Sequence, residues 1–177
     1  MTRAPRSQAG FTVIEVAVTV ALIGILAAIA VPTFAGESRK AKGDAEVNAF
    51  FAELAVREEQ YSVENGVYLS TGASESAAFP ATVSTTAQPL GTLPAAWLTL
   101  KVRPPESSVR CSYVVIAGTR ANTTAGTIAS GTFGYTPPAR NWFYALAHCD
   151  LDGNSAVDSY YFVSSDDAKI QKSNYGR

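Results

Sequence analysis

From Phe11 to Val31 the chain is apolar with one strongly polar exception, Glu15; Thr12 and Thr19 are mild. A run of 21 residues, at ~1.5 Å rise per residue, comes close to the ~30 Å of a bilayer core. Past Pro32 the pattern becomes amphipathic. Ala41, Ala45, Phe50 (or Phe51), Leu54 and Val56 recur at three- to five-residue spacing, with Lys40, Lys42, Asp44, Glu46 and Glu53 between them. That spacing predicts a helix with one buried face. One long helix is expected from about Phe11 to Ser62, with Gly24, Pro32 and Gly36 as weak points, because proline removes a backbone donor and can kink a helix. The Asn65-Gly66 pair supplies a plausible cap.

After Tyr68 the texture changes. Ser70 to Pro94 is rich in Ser, Thr, Ala, Gly and Pro and reads as a long surface loop. From Trp97 the chain looks β-rich: Trp97–Val102, Cys111–Ala117, Trp142–Cys149 and Val157–Ser164 are short aromatic, aliphatic and β-branched runs between turn signals. Thr119–Pro138 is a second Gly/Thr-rich excursion. The expected fold is α+β, with the lower half of the long helix lying across an antiparallel sheet of about four strands. The expected divisions are 1–10 as a polar leader, 11–34 as an apolar helix, 35–65 as an amphipathic helix, and 66–177 as a β-rich head with long loops at 70–94 and 118–138.

Composition agrees with a segment that does not live in water. The 177 residues are 47% hydrophobic and 16% charged, below the usual quarter for charge. The net charge of −1 gives no reason to expect nucleic acid as a partner. Arg3 and Arg6 precede the apolar run, and basic residues on one side orient insertion with that side in the cytoplasm. An ordinary secretory signal, cut near Ala27-Ala28, is the rival reading; a plain signal anchor is another. Against the first stand the unbroken continuation into a helical pattern and the carboxylate inside the run.

Glu15 is costly there, on the order of 2.5–3.5 kcal/mol for an ionised carboxylate at mid-bilayer. No Lys or Arg lies between Arg6 and Arg39 to meet it. It is either a group near the membrane face, solvated by snorkelling or neutral, or the partner of an amine that a cut before Phe11 would create on a neighbouring subunit. Gly10-Phe11-Thr12-Val13-Ile14-Glu15, followed by an apolar run ending at Val31-Pro32, closely resembles the prepilin signature of type IV pilins and type II secretion pseudopilins. The resemblance covers Ala9 to about Phe34 and, more loosely, the helix beyond. It implies a prepilin peptidase that cleaves after Gly10 and N-methylates Phe11, and a Glu15 that pairs with the Phe11 amine of an adjacent subunit during assembly. It also implies the pilin architecture and a Gly24–Pro32 stretch able to loosen in the filament. Loss of residues 1–10 would remove two of the 14 basic residues and none of the 15 acidic ones.

Cys111 and Cys149 are the two cysteines. The orientation argument places them outside the cytoplasm, where disulfides persist; two buried free thiols are the alternative. Pilins often carry such a bridge, usually nearer the C-terminus. His148 is the only histidine, and as a strand neighbour of Cys149 it should point to the opposite face. That argues against a catalytic pair and leaves a structural or surface role. Asp150, Asp152, Asn154 and Asp158 alternate in a way that suits calcium. However, the glycine falls at the fourth position and no glutamate closes the loop, so this is not an EF-hand. An Asp-Gly turn is the other reading.

The function expected is structural: a major or minor subunit of a type IV pilus serving adhesion, motility or DNA uptake, with a type II secretion pseudopilin as the alternative. No cofactor is required by this reading. The expected partners are copies of itself and other pilins, the prepilin peptidase, the inner-membrane assembly machinery, and the membrane itself before assembly. The subunit would sit in the inner membrane and then in an extracellular pilus or a periplasmic pseudopilus. A membrane-anchored enzyme is a remote reading, because the sequence holds no Gly-rich phosphate loop, nucleophile–base set or metal constellation.

Overall fold

The computed structural model describes residues 10–154 and 158–176, so Arg3 and Arg6 of the leader, and Val157 at the head of one predicted strand, lie outside the described residues. Helix α1 runs Val13–Asn65 with Pro32 inside it. The chain forms two compact units, one reaching Glu37 and one beginning at Ser38.

From Val13 on, the first unit is helix with its apolar side chains in the open. Phe11 is 82% exposed and Leu26 68%. Nothing in the most apolar 18-residue window is buried, and by length and composition this helix can cross a membrane. The Thr33 hydroxyl donates to the Ile29 carbonyl at 2.9 Å, one residue past Pro32.

In the second unit the rest of α1 carries a buried stripe of Gly43, Glu46, Val47, Phe50, Phe51, Leu54 and Glu58. The spacing is helical, but its members differ from the sequence expectation: Ala41, Ala45 and Val56 are exposed, and two glutamates lie on the buried side. Gly43 belongs there because a Cβ would stand 2.8 Å from Leu151 Cδ2. Gly66, at φ +77°, ends the helix with its N–H on the Ser62 carbonyl, as the Asn65-Gly66 pair predicts.

The stripe packs on an antiparallel meander of β3 (Cys111–Gly118), β4 (Trp142–Cys149), β5 (Ser159–Ser164) and β6 (Gln171–Ser173), in that order. A separate two-residue ribbon joins β1 (Gln88–Pro89) to β2 (Ser108–Val109). Tyr113, Val115, Phe143, Ala145, Tyr161 and Val163 meet Val47, Phe50, Phe51 and Leu54 in one core. The Phe50 and Tyr113 rings stack at 4.3 Å. On the other sheet face Val114, Trp142, Tyr144, Leu146 and Phe162 form a second cluster with Ala129 of α3 (Thr127–Phe133). Burial on both faces explains why β4 reads Trp-Phe-Tyr-Ala-Leu-Ala as a continuous apolar run.

The α+β fold with four antiparallel strands is as expected, but one strand is not where the sequence reading put it. Trp97–Val102 is not a strand: Ala95–Thr99 forms α2, entered from Pro94 and followed by Leu100 in helical conformation. Trp97 and Leu100 are 1% and 2% exposed while Leu98 is 60% exposed. Apolar side chains three residues apart on one side need a helical turn; a strand would have paired 97 with 99. Trp97 then packs edge-on against Phe79 at 5.3 Å. The fourth strand is β6, whose Gln-Lys-Ser sequence has no apolar alternation and which pairs at the sheet edge.

Candidate functional site: the N-terminal assembly segment

Gly10 and Phe11 precede α1 in non-helical conformation and are exposed. Thr12 is the N-cap: its hydroxyl accepts the backbone N–H of Glu15 at 3.2 Å. Thr12-Val13-Ile14-Glu15 has the capping-box spacing, a signal the apolar-run reading passed over. Glu15 falls in the first turn of α1, where a carboxylate is favoured by the helix dipole. The residues at the predicted cut and the predicted pairing carboxylate therefore share one helix start, with every large apolar side chain around them open to an external partner.

The cysteines lie in the other unit. Cys111 and Cys149 are cross-strand register partners of β3 and β4 and are joined by a disulfide with Cα atoms 4.4 Å apart. His148 points to the opposite face, as alternation requires. Its Nε2 lies 2.5 Å from Asp158 Oδ2, and its ring stacks on Tyr160 at 5.2 Å.

In the acidic turn, Asp150 Oδ1 accepts the Gly153 N–H at 2.7 Å and Asp152 Oδ1 accepts the Asn154 N–H at 2.8 Å. Gly153 sits at φ +85°. These are turn-capping contacts. Asp158 is drawn to His148, and among the described residues no three His, Cys, Asp or Glu side chains gather in a way that could hold a metal ion.

Sequence reasoning missed the three glutamates by which α1 holds the loops of the globular unit. Glu46, 5% exposed, accepts at Oε1 the backbone N–H of Arg110 (2.9 Å) and Cys111 (3.0 Å) and the Tyr113 hydroxyl (2.9 Å). Burial, and then Glu46, hold the Tyr113 phenol well above its usual range. Glu53 takes the Arg103 N–H at 2.7 Å and the Arg57 guanidinium at 2.8 Å. Glu58, fully buried, takes the Leu69 N–H at 2.9 Å. Desolvation pushes its carboxyl from 4.5 up to about 8. The available signal was carboxylates falling on the helical phase of Val47, Phe50 and Leu54, a position that a solvated acid avoids.

Residues 5–31 match the family model for the prokaryotic N-terminal methylation motif. Over 69 residues, 39% of this chain and 52% of the relative, the sequence is 35% identical to the type IV wide pilus major component PilA4 of Thermus thermophilus. Over 66 residues, 37% of this chain and 44% of the relative, it is 39% identical to the type II secretion system core protein G of Vibrio cholerae. The match thus spans about half the length of these relatives. No solved structure matches the chain. The resemblance to type IV pilins and type II secretion pseudopilins, read from Gly10 through Pro32, is borne out by both comparisons: this chain carries the N-terminal methylation motif on an open apolar helix and is similar to a pilus component and to a type II secretion core protein.

Proposed function

We propose that this chain is a filament subunit, inserted in the inner membrane with Arg3 and Arg6 on the cytoplasmic side, cut after Gly10, N-methylated on Phe11, and assembled through α1. The observation that carries this reading is the coincidence of the methylation motif over residues 5–31 with a helix whose apolar side chains have no partner within the described residues. A surface of that kind must be covered once it leaves lipid. Full burial of a Val, Leu or Ile is worth about 1.5–3 kcal/mol, so packing against the same segment of other copies provides ample drive even after ordering costs. Glu15 then meets the Phe11 amine of a neighbour, which offsets the cost of burying its carboxylate.

Between the two filament types, we favour a pilus subunit, major or minor, on its disulfide; adhesion, motility and DNA uptake are the tasks such a filament serves. The pseudopilin reading rests on the similarity to the type II secretion core protein. Mass spectrometry of the native N-terminus, on membrane and sheared-filament fractions separately, tests both levels. A methylated Phe11 is expected in each fraction, abundant among sheared filaments for a major pilin and scarce there for a minor pilin or pseudopilin. An intact Met1, or a cut elsewhere, would overturn the reading.

A further inference from the structure

The sheet face turned away from α1 carries a cleft of about 900 Å³, within the ~300–1,000 Å³ typical of small-molecule sites. Val114 and Leu146 form its apolar floor. Ser112, His148 and Tyr160 stand side by side across β3, β4 and β5 in register. The segment around 70–81 makes one wall and residues 122–128 the other. The two walls are tied together: Glu75 accepts the N–H groups of Ile128 and Ala129 at 2.7 and 2.9 Å and the Tyr144 hydroxyl at 3.1 Å. Gly126 is required for that closeness, since a Cβ there would fall 2.2 Å from the Glu75 carboxyl carbon. The cleft is therefore held open by a built frame and not by chance gaps between loops.

Its chemistry narrows the occupant. No lysine or arginine lines it among the described residues, which leaves phosphates, sulfates and nucleic acids without a counter-charge. The Glu75 carboxylate is already engaged by three donors, and the Asp158 carboxylate faces His148, so a cation gains little. A peptide strand would need free backbone groups at the sheet edge. The edge of β3 is instead taken up by the wall segment: Phe79 and Tyr113 exchange N–H···O bonds at 2.8 Å, and Val115 and Ala117 N–H groups go to Thr71 and Ser70 hydroxyls. A lipid chain would cover the hydroxyls of Thr124 and Thr127 without offering them partners; those of Ser74 and Ser76 bond each other at 2.8 Å. What remains is a ligand that is uncharged, rich in hydroxyls, and apolar enough on its ring faces to lie against an aromatic surface.

We propose that this cleft binds an uncharged oligosaccharide, with Tyr160, backed by the His148 ring stacked on it, as its aromatic contact and the Ser/Thr-rich walls as its hydrogen-bonding rim. The proposal does not depend on the filament type.

Saturation-transfer difference NMR on the full chain, held in a sugar-free zwitterionic detergent, tests it with cellotriose, maltotriose and chitotriose as probes. Transfer to at least one trisaccharide is expected. Tyr160→Ala should weaken it about tenfold, in line with the loss of one aromatic contact. Thr127→Trp, at an exposed position on the rim, should block it while the far-UV dichroism and the thermal unfolding midpoint of the fold are retained. The proposal is overturned if none of the three sugars shows transfer, if both variants bind as the parent does, or if trilysine or a sulfated disaccharide binds more tightly than every neutral sugar.

Discussion

The Glu46 carboxylate on α1 accepts the backbone N–H of Cys111 at 3.0 Å. The helix thereby grips the first residue of β3, which is also one end of the disulfide. The contact is buried, so the acceptor cannot be replaced by water without rearrangement.

Glu46→Ala should therefore destabilise the globular unit by about 3–5 kcal/mol, the range for removing one member of a buried charged contact. Glu46→Gln keeps an acceptor oxygen and should cost about 1–2 kcal/mol. Urea unfolding followed by the fluorescence of Trp97 and Trp142, both fully buried, measures the two. Equal losses would mean that the negative charge, not an acceptor oxygen at that place, is what Glu46 provides.

The disulfide closes a separation of 38 residues, for which the chain-entropy model gives about 3–4 kcal/mol. Replacing Cys111 and Cys149 together by serine should lower unfolding stability by that amount, and reduction of the parent should match it. The bridge joins strands already paired in register, so the four-stranded sheet is expected to survive as judged by far-UV dichroism.

Glu58 makes stability fall as pH rises. In the unfolded chain it ionises near 4.5; in the fold its carboxyl is pushed up to about 8. Below 4.5 both states hold the proton and the full stability is present. Between 4.5 and 8 only the unfolded chain releases it, so stability declines across that window, and above 8 the loss levels off. The decline is on the order of a few kcal/mol. Thermal unfolding at pH 5 and pH 8 should show a lower Tm at pH 8, and Glu58→Gln should narrow the gap. Parallel pH curves for parent and variant would remove Glu58 as the cause.

At the assembly segment two roles for Glu15 can be separated. Glu15→Ala should be processed and methylated yet enter sheared filaments poorly. Glu15→Gln leaves the backbone N–H on Thr12 Oγ1 undisturbed but removes the charge. If Glu15 acts by pairing with an amine, both variants assemble poorly. Normal assembly of the glutamine variant would leave only helix capping, worth about 1 kcal/mol.

The start of the chain was legible because its physics is one-dimensional. An uninterrupted apolar run, a lone carboxylate within it and a Gly-Phe step before it name their own environment, and no distant residue is needed to read them. The strands at Cys111 and Trp142 were legible for a similar reason, since burial on both faces leaves an apolar run in the sequence. Pairing decided the rest. Gln171–Ser173 is a strand only because β5 offers it an edge, and Trp97 turns into a helix because Phe79 and Phe50 wait on one side of it. Glu46 looked like a solvated charge on an amphipathic helix, and nothing in the pattern singled out Glu58. Both are buried because the chain folds back to bring backbone N–H groups to them, over separations of 65 and 11 residues. A hydrophobic pattern records what a residue avoids; which donor will satisfy a buried acceptor is known only once the tertiary structure has brought the two together.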